Sequence, residues 1–240
     1  MKTIEVQNVG ALPYAMEEAV NRLRINIGFL GNDIRKIMII STFPYEGKST
    51  IAVNLWRQMS EAGTKSLLLD VDMRKSVFKR EHLPEASEKD GFKGTSDYLA
   101  GNADIDDAVC HTQFESGDIM MNAENVVNPS ILLDSERFTE MLDYFSRNYR
   151  YTFVDVPPLD LVSDGERIGS QCDGAILVIR AGVTPTGAVK ATIAQLERAG
   201  CPVLGVVLNR VENSKRGYYS GHSHYGSYYG GSYYYGQKIN

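Results

Sequence analysis

The sequence predicts an α/β fold: a doubly wound, mainly parallel sheet with helices on both faces, followed by a flexible C-terminal tail. Short apolar runs recur along the chain, amphipathic stretches separate them, and the composition changes near residue 213. Regular alternation of strand and helix patterns is typical of a doubly wound sheet. The 240 residues suffice for one such domain with a substantial buried core.

The apolar runs are nearly continuous, as expected of parallel strands that are covered on both faces. The predicted strands occupy residues 37–40, 67–69, 151–154, 175–179 and 203–208. Helical patterns between the strands cover residues 49–62, 130–147 and 186–199. Another amphipathic helix is predicted over residues 15–30, before the first core strand. Residues 76–96 are rich in charge and poor in core residues, so we expect an excursion from the sheet there.

The last part of the chain cannot build a core. From residue 213 onwards Tyr, Gly, Ser and His dominate, and no aliphatic residue follows until Ile239. We therefore predict a folded domain over residues 1–212 and a disordered tail over residues 213–240. Eight of the chain's 14 tyrosines lie in this tail: Tyr218, Tyr219, Tyr225, Tyr228, Tyr229, Tyr233, Tyr234 and Tyr235. Two interpretations are open, a segment that associates by stacking and a cluster of phosphate acceptors on a tether.

Composition excludes several classes of protein. The formal net charge of −5 argues against binding to nucleic acid, which needs a basic excess. Cys110, Cys172 and Cys201 lie far apart without metal-site spacing, which favours reduced thiols in a cytoplasmic protein. No run approaches the ~18 apolar residues of a membrane span. We expect a cytoplasmic protein that reaches a membrane only through a partner.

A phosphate-binding loop follows the strand that ends at Ile40. The residues Ser-Thr-Phe-Pro-Tyr-Glu-Gly-Lys-Ser-Thr, 41–50, connect this strand to a helix and end in the G-K-S-T of a nucleotide site. The backbone of the loop and the helix start would face the phosphates of ATP. Lys48 would reach the β- and γ-phosphates, and the Ser49 hydroxyl would coordinate Mg²⁺. The predicted nucleotide-binding residues are Glu46, Gly47, Lys48, Ser49 and Thr50.

Carboxylates end two further predicted strands. Asp70 and Asp72 follow Leu67-Leu68-Leu69, and Asp155 follows Phe153-Val154. A single aspartate at a strand end is often only a turn former or a helix cap. Mg²⁺ takes oxygen ligands, however, and one or two carboxylates beside the phosphates are what it needs. Three carboxylates together with the loop predict a metal–nucleotide site.

The motifs E-G-K-S-T, L-L-L-D-V-D-M-R and F-V-D-V-P-P together resemble the bacterial tyrosine kinases of capsule and exopolysaccharide synthesis. These P-loop enzymes carry Walker A, A′ and B motifs, and the similarity extends over residues 15–212. The resemblance implies a protein-tyrosine kinase that transfers the γ-phosphoryl group of ATP, with Mg²⁺, mainly to the tyrosines of its own tail.

The resemblance also implies roles for single residues. Asp155, Ser49 and Asp72 are implied in metal binding, and Asp70 is the residue that accepts the proton of the acceptor tyrosine. Asp72 alternatively supports the nucleophile.

Two more roles carry over from the family. Arg74 either stabilises phosphate charge or fixes the motif, and Asn209 contacts the adenine. One departure is Val156, where the family carries Ser or Thr, and the loss of that hydroxyl would reduce activity if it orders metal-bound water.

Partners are implied as well. Glu18 and Arg24 match the family's E-x-x-R-x-x-R oligomerisation motif, but Asn21 replaces its middle arginine, which weakens a charge-assisted interface. A solvated helix face is the alternative. The family implies a ring-like homo-oligomer with each tail in a neighbour's active site and a membrane-embedded activator at the inner face of the cell membrane. It also implies an opposing tyrosine phosphatase.

Two other functions remain open at this point. A ParA/MinD-like regulatory ATPase would share the loop, although such proteins usually carry a lysine where this chain has Phe43. A non-catalytic nucleotide-binding regulator is the second alternative, and Val156 keeps it open.

Overall fold

The computed structural model describes residues 2–9, 12–76, 78–82, 92–160 and 164–211. The strands in this part of the chain are β1 Lys2–Thr3, β2 Lys36–Ser41, β3 Ser66–Asp70, β4 Cys110–His111, β5 Gly117–Met120, β6 Tyr151–Asp155, β7 Gly174–Arg180 and β8 Val203–Asn209. The helices are α1 Tyr14–Gly28, α2 Lys48–Glu61, α3 Phe78–His82, α4 Thr95–Leu99, α5 Ile105–Ala108, α6 Ser130–Leu133, α7 Glu136–Asn148, α8 Asp164–Gly169 and α9 Thr186–Arg198. The predicted tail lies outside the described residues.

The strands form one sheet in the order β1-β4-β5-β3-β6-β2-β7-β8. All neighbouring pairs run parallel except β4 and β5. The predicted α/β fold class is thereby confirmed. Asp70 of β3 is paired in register with Asp155 of β6, and Asp155 is also paired with Ile39 of β2. Two of the predicted carboxylates therefore emerge side by side at the carboxyl edge of the sheet, next to the loop that follows β2.

Both faces of the sheet are covered. In β2, Met38 and Ile40 belong to one hydrophobic core, whereas Ile37 and Ile39 belong to the other. All four side chains are fully buried. Burying such a side chain contributes about 1.5–3 kcal/mol, so both layers stabilise the strands that carry the site. This double burial is the physical reason for the nearly continuous apolar runs.

The five predicted strands and the predicted helices over 15–30, 49–62 and 186–199 are confirmed, within two residues at most ends. The single helix predicted over 130–147 was wrong, because α6 and α7 are separate. Ser135 takes an extended conformation with φ −75° and ψ 151°, and its hydroxyl donates a 2.6 Å hydrogen bond to the Leu132 carbonyl. A serine that caps α7 therefore interrupts the helical pattern.

The cysteines and the helices add two observations. All three cysteines are buried and unpaired, as predicted for reduced thiols. Within the described ranges, no helix combines the length and apolar character that crossing a membrane requires.

Candidate active site

The loop between β2 and α2 is fastened to the end of β8. Gly47 takes φ +96°, a left-handed conformation that favours glycine. A Cβ atom at this position would lie only 2.2 Å from Asn209 Nδ2. That amide nitrogen donates a 2.8 Å hydrogen bond to the Glu46 carbonyl. Asn209, predicted to contact adenine, thus lies against the loop itself, and the close approach requires a residue without a side chain at 47.

The Glu46 side chain is turned into the loop. It is buried, and one carboxylate oxygen accepts a 2.9 Å hydrogen bond from the Phe43 amide. The other oxygen accepts from the Thr184 hydroxyl and, at 3.3 Å, from the Arg180 amide. These contacts join the loop to the end of β7. Because these contacts occupy the Glu46 side chain, a nucleotide would contact Glu46 through its backbone.

Lys48 and Ser49 meet two of the predicted carboxylates. Lys48 Nζ lies 3.4 Å from Asp72 Oδ2 and 3.6 Å from Asp155 Oδ2. The Ser49 hydroxyl donates a 2.7 Å hydrogen bond to the same oxygen of Asp155. Thr50, the next residue of the motif, is exposed. The structure thus brings together the ammonium, hydroxyl and carboxylates that were predicted from separate stretches of sequence.

The surroundings of Lys48 favour its charged form. Burial disfavours the charged ammonium, but the neighbouring carboxylates Asp155, Asp72 and Asp70 outweigh that effect and raise the pKa of Lys48 above its ordinary value. A mostly buried cation at the start of a helix and beside the left-handed turn at Gly47 is suited to the phosphates of a nucleotide.

Asp70 lies deepest in the cluster and is wholly buried. Its Oδ1 accepts a 3.0 Å hydrogen bond from the Asp72 amide, and its Oδ2 accepts from the Ser76 hydroxyl and, at 3.3 Å, from the Asn122 amide. Burial and the charge of Asp155 raise the pKa of Asp70 to about 7, against the effect of the Ser76 hydrogen bond. Ser76 and Asn122 were not predicted from the sequence, because neither belongs to a motif.

Asp155 fits the role of a magnesium ligand. Its Oδ1 is buried and lacks a hydrogen-bond partner among the described residues. Burial raises the pKa of this carboxyl to about 6, although Lys48 opposes the shift. Within the described part of the chain, no three His, Cys, Asp or Glu side chains form a metal cage. Mg²⁺ in nucleotide sites relies on one or two carboxylates plus phosphate oxygens, so Asp155 with Ser49 is a suitable set.

The Arg74 guanidinium pairs with another side chain of the protein. Its Nε lies 2.7 Å and its Nη2 3.2 Å from the two carboxylate oxygens of Asp164, a bidentate pair. The Ser130 hydroxyl donates a 3.1 Å hydrogen bond to the same carboxylate. Asp164 thereby ties the segment after β3 to the first residues of α6 and α8. Such a pairing is expected if the role of Arg74 is to hold the segment after β3 in place.

Val156, the departure after Asp155, is fully buried in one of the two cores. Its side chain packs with apolar neighbours such as Val154 and Leu159. The side chain at this position therefore belongs to the packing beneath the carboxylates.

The two residues of the predicted oligomerisation motif differ in their surroundings. Glu18 is exposed on α1. Arg24 is partly buried, and its Nε and Nη2 donate hydrogen bonds of 3.2 and 2.9 Å to Asn21 Oδ1. Asn21, which replaces the middle arginine of the motif, therefore binds the guanidinium of Arg24, the last arginine of the motif.

Comparison with known proteins identifies the family of the chain. A profile described as the CobQ/CobB/MinD/ParA nucleotide binding domain matches residues 37–226. The tyrosine-protein kinase CpsD of Streptococcus agalactiae is 34% identical over 212 residues, which span 88% of this chain and 89% of that protein. The chain belongs to the bacterial tyrosine-protein kinases. The resemblance found in the motifs is thereby confirmed.

Solved structures place the kinase in the same family. The kinase domain of the Escherichia coli tyrosine kinase ETK matches with a TM-score of 0.75 and 26% identity, over 86% of this chain and 80% of that one. The septum site-determining protein MinD from Pyrococcus horikoshii, solved with Mg-ADP, matches with a TM-score of 0.62 and 27% identity, over 76% and 72% of the chains. The MinD likeness reflects the shared nucleotide-binding superfamily, whereas the kinase likeness covers more of the chain.

Proposed function

We propose that this kinase binds ATP with Mg²⁺ between the loop 41–50 and the carboxyl ends of β3 and β6, and transfers the γ-phosphoryl group to tyrosines. The observation that carries the proposal is the cluster of Lys48, Ser49, Asp72 and Asp155, in which one ammonium lies within 3.6 Å of two carboxylates. A mostly buried cation and acidic residues beside a helix start are the arrangement that phosphoryl transfer uses for positioning and charge stabilisation.

Each residue of the cluster has a distinct task in this proposal. Lys48 binds the β- and γ-phosphates, and Ser49 and Asp155 hold the magnesium ion, with Asp72 as a further support. Mg²⁺ supplies neutralisation of the charge that develops on the phosphate oxygens. The loop backbone of Glu46 and Gly47 faces the phosphates, while Asn209 keeps that backbone in place through its 2.8 Å hydrogen bond.

We assign the acceptance of the tyrosine proton to Asp70. The new bond joins the phenol oxygen to phosphorus, the bond to the leaving oxygen of ADP breaks, and the phenol proton passes to a carboxylate. A phenol has a pKa of about 10, so the acceptor must be basic enough to take up the proton during transfer. Burial raises the pKa of Asp70 to about 7, which makes it a stronger base than an exposed aspartate. Asp72, nearer the surface, then faces the nucleophile or the metal.

The tail tyrosines, residues 218–235, are the proposed acceptors, and residues 213–240 are the proposed tether. A tether raises the effective concentration of an acceptor to roughly the millimolar range, so a high-affinity peptide site is unnecessary. Each phosphate adds about −1.5 to −2 charges at pH 7, which would make the weakly basic tail acidic. We expect this charge to separate kinase copies whose tails occupy neighbouring sites. Sedimentation of both forms tests this, and equal oligomer sizes would refute it.

The wider setting follows the family. We propose that the kinase works in capsule or exopolysaccharide synthesis and export from the cytoplasmic side. A separate membrane-embedded activator would recruit it to the inner face of the cell membrane, and a tyrosine phosphatase would reverse its action. Co-purification of the kinase with an activator from detergent-solubilised membranes tests the recruitment, and a kinase that stays at the membrane without the activator would contradict it.

Mapping phosphotyrosine by mass spectrometry after incubation with ATP and Mg²⁺ tests the central proposal. We expect phosphate on tail tyrosines of the parent and none on Lys48→Met, because that variant lacks the cation for the phosphates. Lys190→Met is the matched control, since Lys190 is an exposed lysine of α9 outside the nucleotide-binding motif. Hydrolysis of ATP without phosphotyrosine would instead indicate a MinD-like ATPase, and nucleotide binding without either would indicate a non-catalytic regulator.

A further inference from the structure

Tyr45 occupies an unusual position in the phosphate-binding loop. Its φ of +63° lies in the left-handed region, which in the described residues holds only two other non-glycine residues, Asn8 and Arg210. A bulky residue is strained there, whereas glycine is not. Such strain persists where the surrounding structure holds it, and it clusters at functional sites. The strained backbone of Tyr45 therefore indicates a functional role for this residue.

Tyr45 is 76% exposed. Lys75 Nζ lies 5.9 Å from the centroid of the ring. The Lys75 amide donates a 3.1 Å hydrogen bond to Asp72 Oδ1, and the other oxygen of Asp72 lies 3.4 Å from Lys48 Nζ. The ammonium end of Lys75 therefore lies near the Tyr45 ring, while its backbone contacts Asp72, the neighbour of the phosphate-binding lysine.

The other tyrosines of the described part are placed differently. Tyr98, Tyr149 and Tyr151 are buried and Tyr144 is partly buried, so their rings belong to the core or its margin. Tyr14 is exposed, but it stands at the start of α1. Among the described tyrosines, Tyr45 alone combines an exposed ring with a place in the phosphate-binding loop.

We propose that Tyr45 binds the aromatic ring of the acceptor tyrosine and so contributes to the choice of tyrosine over serine and threonine. The inference rests on the proposed kinase function. An acceptor hydroxyl must approach the phosphates next to Asp72, and the exposed ring of Tyr45 borders that approach. Aromatic rings pack edge to face or offset against each other, which aliphatic hydroxyl side chains cannot match.

Steady-state kinetics with a synthetic peptide of residues 223–230, Ser-His-Tyr-Gly-Ser-Tyr-Tyr-Gly, tests this inference. Tyr45→Gly removes the ring and relieves the strain. We expect its KM for the peptide to rise about threefold to tenfold, the range that corresponds to losing one aromatic contact. Its KM for ATP should change less than twofold. Tyr45→Phe keeps the ring and should behave as the parent does.

A second measurement reports binding without turnover. The same peptide with each tyrosine replaced by phenylalanine should inhibit the parent and Tyr45→Phe equally, and should inhibit Tyr45→Gly about threefold to tenfold more weakly. Thermal unfolding checks folding, and Tyr45→Gly should melt no lower than the parent because glycine tolerates this backbone.

Three results would overturn the inference. Unchanged peptide KM and inhibition in Tyr45→Gly would show that the ring does not bind the acceptor. Equal defects in Tyr45→Gly and Tyr45→Phe, or phosphate mapped on Tyr45, would show that the hydroxyl is what matters. A parent that phosphorylates no tyrosine at all is a separate, fourth result, which would refute the proposed function itself.

Discussion

The Ser49 hydroxyl donates a 2.7 Å hydrogen bond to Asp155 Oδ2 and thereby joins the first turn of α2 to the last residue of β6. One residue belongs to the G-K-S-T motif and the other lies more than a hundred positions later in the chain. Their contact depends on the parallel pairing of β2 and β6, which places the two strand ends at the same edge of the sheet. The proposed metal site therefore depends on the register of the central strands.

Asp155→Asn and Ser49→Ala should weaken the binding of Mg²⁺ most strongly. Ser49→Ala removes a proposed oxygen ligand of the ion, and Asp155→Asn replaces an anionic ligand with a neutral amide, so we expect the Mg²⁺ concentration for half-maximal autophosphorylation to rise at least tenfold, roughly 1.4 kcal/mol of binding. Titration of MgCl₂ at fixed ATP measures the change. Asp143→Asn, at an exposed position of α7, serves as the control. If both site variants needed the same Mg²⁺ concentration as the parent, neither residue would be a ligand of the metal.

The nucleotide-free kinase should become more stable as the pH falls from 8 to 5.5. Folding raises the pKa of Asp70 to about 7 and that of Asp155 to about 6, from an ordinary value of 3.8. The folded chain therefore binds more protons than the unfolded chain between pH 4 and 7, so the free energy of unfolding falls as the pH rises. We expect a gain of about 1–3 kcal/mol on acidification.

Urea unfolding at both pH values measures this dependence. Asp70→Asn cannot ionise at the buried position, so it should be more stable than the parent at pH 8 and should show a flatter pH dependence. Stability of the parent that increases from pH 5.5 to 8 would contradict the assigned pKa shifts.

Gly47→Ala should disable the loop. A Cβ atom would lie 2.2 Å from Asn209 Nδ2, and φ is +96°. We expect a loss of about 1–3 kcal/mol in the free energy of unfolding together with the loss of ATP binding, measured by urea unfolding and isothermal titration calorimetry. The additional change Asn209→Ala should restore part of the stability, since it removes the clash but leaves the backbone strain.

Gly187→Ala provides the matched control for this glycine. Gly187 lies in α9, a Cβ atom there would meet no atom of a neighbouring element within 4 Å, and its φ is not left-handed. Alanine at this position should be neutral or slightly stabilising. Equal losses at both glycines would show that the cost at residue 47 has nothing to do with the loop geometry.

Arg74→Ala should destabilise the kinase even without substrate. It leaves the carboxylate of Asp164, whose side chain is 4% exposed, with only the Ser130 hydroxyl among the contacts described above. Because Arg74 itself is partly exposed, we expect a cost of about 1–3 kcal/mol. Arg74→Lys should lie in between, since lysine keeps the charge but cannot form the bidentate pair. A double-mutant cycle with Asp164→Ala, measured by urea unfolding, gives the coupling energy. A coupling near zero would mean that Arg74 acts elsewhere.

Asn21→Arg should strengthen self-association. It removes the oxygen that accepts two hydrogen bonds from Arg24, and it completes the arginine pair of the motif. One additional charge-assisted contact should lower the dissociation constant about tenfold, as measured by analytical ultracentrifugation. Asn26→Arg adds the same charge at an exposed position of α1 outside the motif and is the control. If both variants associate equally, net charge rather than the motif explains the effect.

Sequence reasoning identified the elements whose signals are local. The nearly continuous apolar runs of β2, β3, β6, β7 and β8 reflect burial on both faces, and the short motifs at their ends identified Lys48, Asp72 and Asp155. The strand β5 was missed, because it begins with Gly117 and Asp118. A side chain at Gly117 would collide with Ser60 and Trp56 of α2. Tertiary packing, rather than the local sequence, therefore explains the glycine at this position.

Asp118 and the partners of Asp70 illustrate the same limit. Asp118 is buried because it accepts hydrogen bonds of 2.6 Å from Tyr149 and 2.7 Å from His111, both supplied by other elements. Ser76 and Asn122 bind Asp70 through contacts that no spacing in the sequence encodes. The motifs therefore predicted which groups bear the chemistry, but the groups that hold them in place depend on the folded chain.

The carboxylate cluster has a consequence for the fate of the protein in a cell. Asp70, Asp72 and Asp155 gather three acidic groups around the ammonium of Lys48 in a mostly buried place, and the Mg²⁺ ion that accompanies a nucleotide would offset their charge locally. A ligand that binds only the folded chain at 100 times its dissociation constant adds about 2.7 kcal/mol of stability. The nucleotide-free kinase would therefore unfold more readily than the nucleotide-bound kinase and be a better substrate for proteases.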